Sequence, residues 1–255
     1  MSTGNGMSLT NATTDTTLSV FFLVTTNSGI DCGLVSGFDL APGITTNQAS
    51  FNVDWGDTDT FFILFQDQDG TFWQSQAIVA NLSSRSNSNV SVTLAGTVNG
   101  AGGLGLTIEA NGENFGTWPV FHVGTVENDA STGNSLSVYN ASSIAIAVYF
   151  GVAMNSGQDI GVIAGTNLGT GPSRLAAQFN VDRGMINTFM ILFVNEYGQS
   201  WWSNGTKCNL SSRENSAVQL IVSGDSQFMT LVIVPPDDSG PEVAINQIQN
   251  AYRPG

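Results

Sequence analysis

Apolar and polar residues alternate along much of this chain. Val90, Val92, Leu94 and Val98 fall on one face, and Ser91, Thr93 and Thr97 on the other. Beyond a glycine-rich turn at 100–105, Leu104, Leu106 and Ile108 resume the alternation. A period of two is that of a strand with one face on a core. Residues 60–66 form a nearly unbroken apolar run, which predicts a strand covered on both faces. Asp69-Gly70 then signals a hairpin turn, with residues 71–77 returning. Further strands are predicted at 17–25, 33–40 and 49–54. No segment carries a helical period. Short strands at regular spacing predict an all-β chain, built as antiparallel sandwiches of roughly seven to nine strands.

The same pattern occurs twice. Phe51-Asn52-Val53-Asp54 matches Phe179-Asn180-Val181-Asp182, and Thr60-Phe61-Phe62-Ile63-Leu64-Phe65 matches Thr188-Phe189-Met190-Ile191-Leu192-Phe193. Asn81-Leu82-Ser83-Ser84-Arg85 matches Asn209-Leu210-Ser211-Ser212-Arg213, again 128 positions on. Three blocks in one register imply a tandem duplication. The expected domains are residues 1–126 and 127–255, about 125 residues each, meeting in the polar stretch 126–133.

Composition narrows the function. Of 255 residues 41% are hydrophobic and only 10% charged, with net charge −14. The pI is about 4.1. Lys207 is the sole lysine, so no basic patch can be assembled for nucleic acid or an anionic membrane. A neutral glycan or glycoconjugate is compatible, as is a homo-oligomer. The start lacks the basic and apolar regions of a leader, and no apolar stretch is long enough for a transmembrane helix. The expected location is cytoplasmic or leaderless secreted. Cys32 and Cys208 stand opposite Ile160 and Ala80 in the other copy, which predicts two independent thiols. Asn-x-Ser/Thr sequences start at Asn11, Asn81, Asn89, Asn140, Asn204 and Asn209, about as many as chance supplies in so polar a chain.

Catalytic chemistry finds little support. His122, the only histidine, lies in an apolar strand and has no counterpart in the second copy. Asp54 and Asp182 recur, but neither has a second acid at a matching position. No nucleophile elbow or phosphate loop occurs, so the chain is read as a non-enzyme. Asp54, Asp57, Asp59, Asp67 and Asp69 cluster in the first copy and could supply oxygen ligands to calcium. The second copy keeps only Asp182 of these, and the simpler reading is an acidic, solvated turn.

Binding chemistry is better represented. Arg85 and Arg213 recur, as do Asn81 and Asn209; with Asp54 and Asp182 they either brace a loop or hydrogen-bond a polar ligand. Trp73 and Trp201 are equivalent, and Trp202 must point to the face opposite Trp201. Trp55 falls in a loop. Aromatic faces beside Asn, Asp and Arg are what a sugar site uses. The expected ligand-binding set is therefore Asp54, Trp55, Trp73, Asn81 and Arg85, with Asp182, Trp201, Trp202, Asn209 and Arg213. A lectin-like protein, with one site per repeat, is the leading expectation. Two alternatives stand beside it: a pore-forming protein inserting the hairpin at 90–110, and a structural or assembly protein.

Overall fold

The computed structural model describes residues 5–27, 31–51, 59–82, 88–122, 134–155, 159–179, 187–203, 205–208, 217–234, 242–247 and 251–252. They form strands and turns, with no helix among them. The chain divides into two compact units, Met1–Val126 with Gln249–Gly255, and Glu127–Ile248.

In the first unit lie β1 (Asn5–Thr13), β2 (Leu18–Asn27), β3 (Asp31–Leu40), β4 (Ala49–Phe51), β5 (Asp59–Asp67), β6 (Phe72–Ser75), β7 (Ile78–Ala80), β8 (Asn89–Gly96), β9 (Leu104–Ala110) and β10 (Glu113–His122). The second holds β11 (Asn134–Asn140), β12 (Ile146–Asn155), β13 (Asp159–Leu168), β14 (Gly171–Phe179), β15 (Asn187–Asn195), β16 (Ser200–Ser203), β17 (Thr206–Cys208), β18 (Ala217–Gly224), β19 (Met229–Val234) and β20 (Glu242–Gln247). A last strand, β21 (Ala251–Tyr252), pairs parallel with β3 at Ser36 and Gly37. Residues 249–255, expected in the second domain, thus count with the first unit.

Hydrogen bonding follows one path per unit. The orders are β21-β3-β2-β5-β6-β10-β9-β8-β1-β4 and β13-β12-β15-β16-β20-β19-β18-β11-β14, with β7 beside β5 and β17 beside β15. Apart from β21, the two paths are the same. Each curls until its ends meet: β4 packs on β3, and β14 on β13. A methyl group added to Gly33 would strike Phe51, so the close approach of β3 and β4 needs that glycine. Three features differ from the sequence expectation. Each unit has more strands than seven to nine. Each is one continuous path rather than two separate sheets. Finally, β1 pairs parallel with β8, and β11 with β18. These partners lie far apart in sequence, so no hairpin turn imposes an antiparallel sense on them.

The alternating strands sort as their pattern requires. Val90, Val92, Leu94, Leu104, Leu106 and Ile108 are all buried in the first core. The hairpin at 90–110 is therefore the inner wall of that core, held by β1 on one side and β10 on the other. Strand β5 is covered on both faces, as its apolar run predicts: Phe61, Ile63 and Phe65 join the core, and Phe62 and Leu64 are buried on the reverse. Asn111-Gly112 joins β9 to β10 with both φ angles positive, +51° and +84°, as a tight hairpin turn demands.

Buried polar side chains close the gaps in the ladders. Strand β5 pairs with β6 at one end and β7 at the other. Between them the Ile63 N–H donates to Ser75 Oγ at 3.0 Å, and Ile191 N–H to Ser203 Oγ at 2.9 Å in the second unit. Asn11 and Asn140 are fully buried, each donating to two carbonyls and accepting from the Thr13 or Ser142 that completes its Asn-x-Thr/Ser sequence. These two sequences are clamps that tie the first strand of each unit to the end of its third.

Candidate functional site

Trp73 and Trp201 occupy one cross-strand row in each unit. In the first, Phe21, Phe65, Trp73 and His122 are register partners across β2, β5, β6 and β10. In the second, the row is Tyr149, Phe193, Trp201 and Gln247. Trp73 stacks on Phe65 at 6.2 Å and meets His122 edge-on at 5.6 Å. Trp201 stacks on Phe193 at 6.4 Å and is 5% exposed. Both indoles therefore complete the core. His122 is exposed at the row's end.

The indole N–H groups separate the two copies. Trp73 Nε1 donates to Asp67 Oδ2 at 2.8 Å, while Asp67 Oδ1 accepts the N–H groups of Asp69 and Thr71. At the equivalent position Asn195 Oδ1 accepts from Tyr197 and Gln199, but its Nδ2 is itself a donor and turns to Gln199 Oε1. Trp201 Nε1 is buried and finds no acceptor among the described residues. Asn195→Asp is expected to supply one and raise stability by about 1 kcal/mol; Asp67→Asn should orphan Trp73 Nε1 and cost about 1–3 kcal/mol. Urea unfolding of the two variants checks both signs.

The expected site residues do not all converge. Trp73 faces Phe65 near the end of β5, whereas Ala80, next to the exposed Asn81, faces Asp59 at its start. Six residues of strand hold Trp73 and Asn81 roughly 20 Å apart. Asp59 and Asp67 stand still farther apart along β5, roughly 26 Å, so one calcium ion cannot touch both. Asp67 already serves three N–H donors. Among the described residues no group of three His, Cys, Asp or Glu side chains could hold a metal. Trp202, half-exposed, lies on the face of β16 opposite Trp201. Cys208 is half-buried. Asp54, Trp55, Asp57, Arg85, Asp182, Asn209 and Arg213 lie outside the described residues, as does the side chain of Cys32.

One end of the second unit displays aromatics that sequence reasoning passed over. Among the described residues the large hydrophobic side chains most open to water are Tyr197 (65%), Phe228 (63%), Val79 and Ile44. Tyr197 caps the turn from β15 to β16, pinned by Asn195 Oδ1. Phe228 ends the turn from β18 to β19, where Asp225 Oδ1 accepts the N–H groups of Gln227 at 2.8 Å and Phe228 at 3.0 Å. Those two donors hold the Asp225 carboxyl below its ordinary pKa. The connection from β11 to β12 lies between the two turns. Ser143 N–H donates to the Gly224 carbonyl at 2.9 Å, and Glu196 N–H to the Ala145 carbonyl at 3.0 Å. Glu196 Oε1 in turn accepts from Ala145 N–H at 3.2 Å. Two rigid turns thus present aromatic side chains on either side of one loop. The sequence signal was an aromatic inside an Asn-x-Tyr-Gly or Asp-x-x-Phe turn, where no core position exists for it.

No protein-family model and no curated protein matches the chain. Among solved structures it is similar to a C-terminal fragment of the pilus adhesin SpaC from Lactobacillus rhamnosus GG. The identity is 11%, the match covers 86% of this chain and 96% of that one, and the TM-score is 0.24. A score that low does not establish a shared fold.

In the first unit the equivalent end is acidic. Asp69 stands where Tyr197 does, and a shallow notch there is lined by Asp15, Thr16, Asp67, Gln68, Asp69, Val98 and Asn99. Among the described residues no helix is long and apolar enough to cross a membrane.

Proposed function

We propose that the protein is a non-catalytic carbohydrate-binding protein built from two tandem all-β repeats. The observation that carries this reading is the pair Tyr197 and Phe228, exposed on turns that their own Asn195 and Asp225 side chains brace. An exposed aromatic on a rigid turn loses little entropy on binding. Its face stacks on the C–H side of a pyranose, while neighbouring amides and carboxylates read the hydroxyls. Gln199, Gln227, Glu196 and Asp225 stand within these two turns. The low charge and the lack of a basic patch support a neutral ligand over a phosphate or a polyanion.

The test is a glycan array followed by titration of the best ligand. Tyr197→Ala and Phe228→Ala should each weaken binding about tenfold, the effect of losing one aromatic contact. Both positions are exposed, so the urea midpoint should hold. If both variants fold and bind as the parent does, the proposed platform is wrong. Release of dye from neutral liposomes would favour the pore-forming alternative, in which β8 and β9 would have to abandon the core they line. Polymerisation without glycan binding would favour the assembly role.

A further inference from the structure

We propose that Asn99 is a site of spontaneous deamidation, selected by the fold over the other Asn-Gly pairs that the structure describes. The site is independent of the carbohydrate reading.

Asn-Gly suits this reaction because a residue without a side chain leaves its nitrogen open to the asparagine amide. The Gly nitrogen attacks Asn Cγ, the side-chain nitrogen leaves as ammonia, and a five-membered succinimide closes. Water then opens either carbonyl of that ring, giving aspartate or isoaspartate. The sum is amide plus water to carboxylic acid plus ammonia. Ring closure needs a side chain free to swing toward the next nitrogen. It also needs that nitrogen released from its own hydrogen bond.

Three such pairs lie among the described residues: Asn5-Gly6, Asn99-Gly100 and Asn111-Gly112. Asn5 is buried, and both of its reacting groups are tied. Its Oδ1 accepts the Ser88 N–H at 2.7 Å, and the Gly6 N–H donates to the Ser88 carbonyl at 2.9 Å. Asn111 is exposed, but its amide is held against the start of β8. Oδ1 accepts the Asn89 N–H at 3.1 Å, and Nδ2 donates to Ser88 Oγ at 3.4 Å. The paired Ala110 and Glu113 close the turn around it.

Asn99 differs on each count. It is exposed in the turn between β8 and β9, and among the described residues its amide has no hydrogen-bond partner. One bond restrains the reaction, from the Gly100 N–H to the Thr97 carbonyl at 3.1 Å. A Cβ added to Gly102 or Gly103 would meet nothing within 4 Å, so the tip stands clear of the rest of the chain. A turn bond at an exposed tip opens more easily than a ladder bond.

The product changes the first unit's acidic end. Asn99 lines the notch with Asp15, Asp67 and Asp69, so a new carboxylate joins theirs. The formal charge of −14 becomes one unit more negative. Isoaspartate also inserts one more carbon into the main chain before Gly100, which the Thr97–Gly100 turn cannot absorb unchanged.

The experiment incubates the full chain at neutral and mildly alkaline pH, folded and in urea. Peptide mass spectrometry then follows each Asn-Gly pair. In the folded chain Asn99 should be converted about tenfold faster than Asn111, whose amide must first break two side-chain bonds, and Asn5 should stay intact. The Asn99 rate should rise with pH, because the Gly100 nitrogen attacks only after losing its proton. In urea the three pairs should react at similar rates, since the fold no longer separates them. Asn99→Gln, which needs a six-membered ring, should stay unmodified. Folded-state conversion of Asn111 as fast as Asn99 overturns the proposal. So does protection of Asn99 by folding as strong as that of Asn5, or conversion of Asn99→Gln at the parent's rate.

Discussion

Replacing Asn11 with alanine is expected to lower the stability of the first unit by about 3–5 kcal/mol, the upper range for a single substitution. Asn11 is wholly buried and uses its entire amide. Its Nδ2 donates to the carbonyls of Thr16 at 2.9 Å and Leu40 at 2.7 Å. Its Oδ1 accepts from Thr13 N–H at 3.1 Å and the Thr13 hydroxyl at 2.7 Å. Alanine removes the Asn11 partner of the Leu40 carbonyl and of the Thr13 N–H, while the Thr13 hydroxyl keeps its bond to the Thr16 carbonyl at 2.9 Å; each orphaned group costs about 1–3 kcal/mol, less whatever relaxation recovers. Asn11→Asp should be nearly as damaging, because a carboxylate cannot donate to two carbonyls. Asn140→Ala should do the same to the second unit, whose clamp reaches Ile144 at 2.8 Å and Leu168 at 3.1 Å. Urea unfolding followed by tryptophan fluorescence reads all three. A loss below about 1 kcal/mol for Asn11→Ala would mean the clamp is incidental. Burial also forbids a glycan at either position in the folded chain, although both begin an acceptor sequence; peptide mass spectrometry from a glycosylating host checks this.

Gly224→Ala should unsettle both fold and binding. Gly224 has φ +110°, and its equivalent Gly96 has φ +114°. Both end a strand at its hairpin, and both offer the carbonyl that receives the β1–β2 or β11–β12 connection, from Thr14 or Ser143. A Cβ on Gly224 would run into the backbone carbonyl of Phe228, which cannot rotate aside as a side chain would. The forbidden φ and the backbone clash together are expected to cost about 3 kcal/mol or more. The Phe228 turn must move to relieve them, so glycan affinity should fall at least as far as in Phe228→Ala. Gly169→Ala is the control: a Cβ there meets nothing within 4 Å. If Gly224→Ala melts with the parent and binds as well, the turn is not the rigid platform described.

Lowering the pH should leave the Phe228 turn intact through mildly acid conditions. The Asp225 pKa is depressed in the folded chain, so its contribution is present above the unfolded carboxylate pKa and is lost only as pH falls through the lower folded value. Glycan titration at descending pH should show the loss only in the strongly acid range.

Much of the architecture was written locally. Strict alternation through Val90, Val92 and Leu94 names the buried face of β8 before any partner is known, because successive side chains must point to opposite faces. The apolar run of β5 announces a strand covered twice, and the repeat at 128 positions places equivalent strands and the glycines Gly96 and Gly224 in both halves. Asn111-Gly112 was equally readable and was passed over.

Other features have no local signature. Strand β1, Asn-Gly-Met-Ser-Leu-Thr-Asn-Ala-Thr, is too poor in large apolar residues to declare itself. It is a strand because β4 and β8 supply partners on both edges. Its parallel sense, and the return of β21 to β3, depend on contacts between residues far apart in the chain. The tryptophans show the same division most clearly. Sequence distinguishes Trp201 from Trp202 by face, since neighbours on a strand must diverge, but not which of them a ligand could reach. That depends on whether Phe65 or Phe193 lies beneath the indole and whether Asp67 or Asn195 meets its N–H, which only the paired strands bring together. The exposure of Tyr197 and Phe228 belongs to the same class. Hydrophobicity along the chain records a side chain's preference for burial, whereas its burial is set by what the rest of the fold places over it, and over these two turns nothing described in the chain is placed.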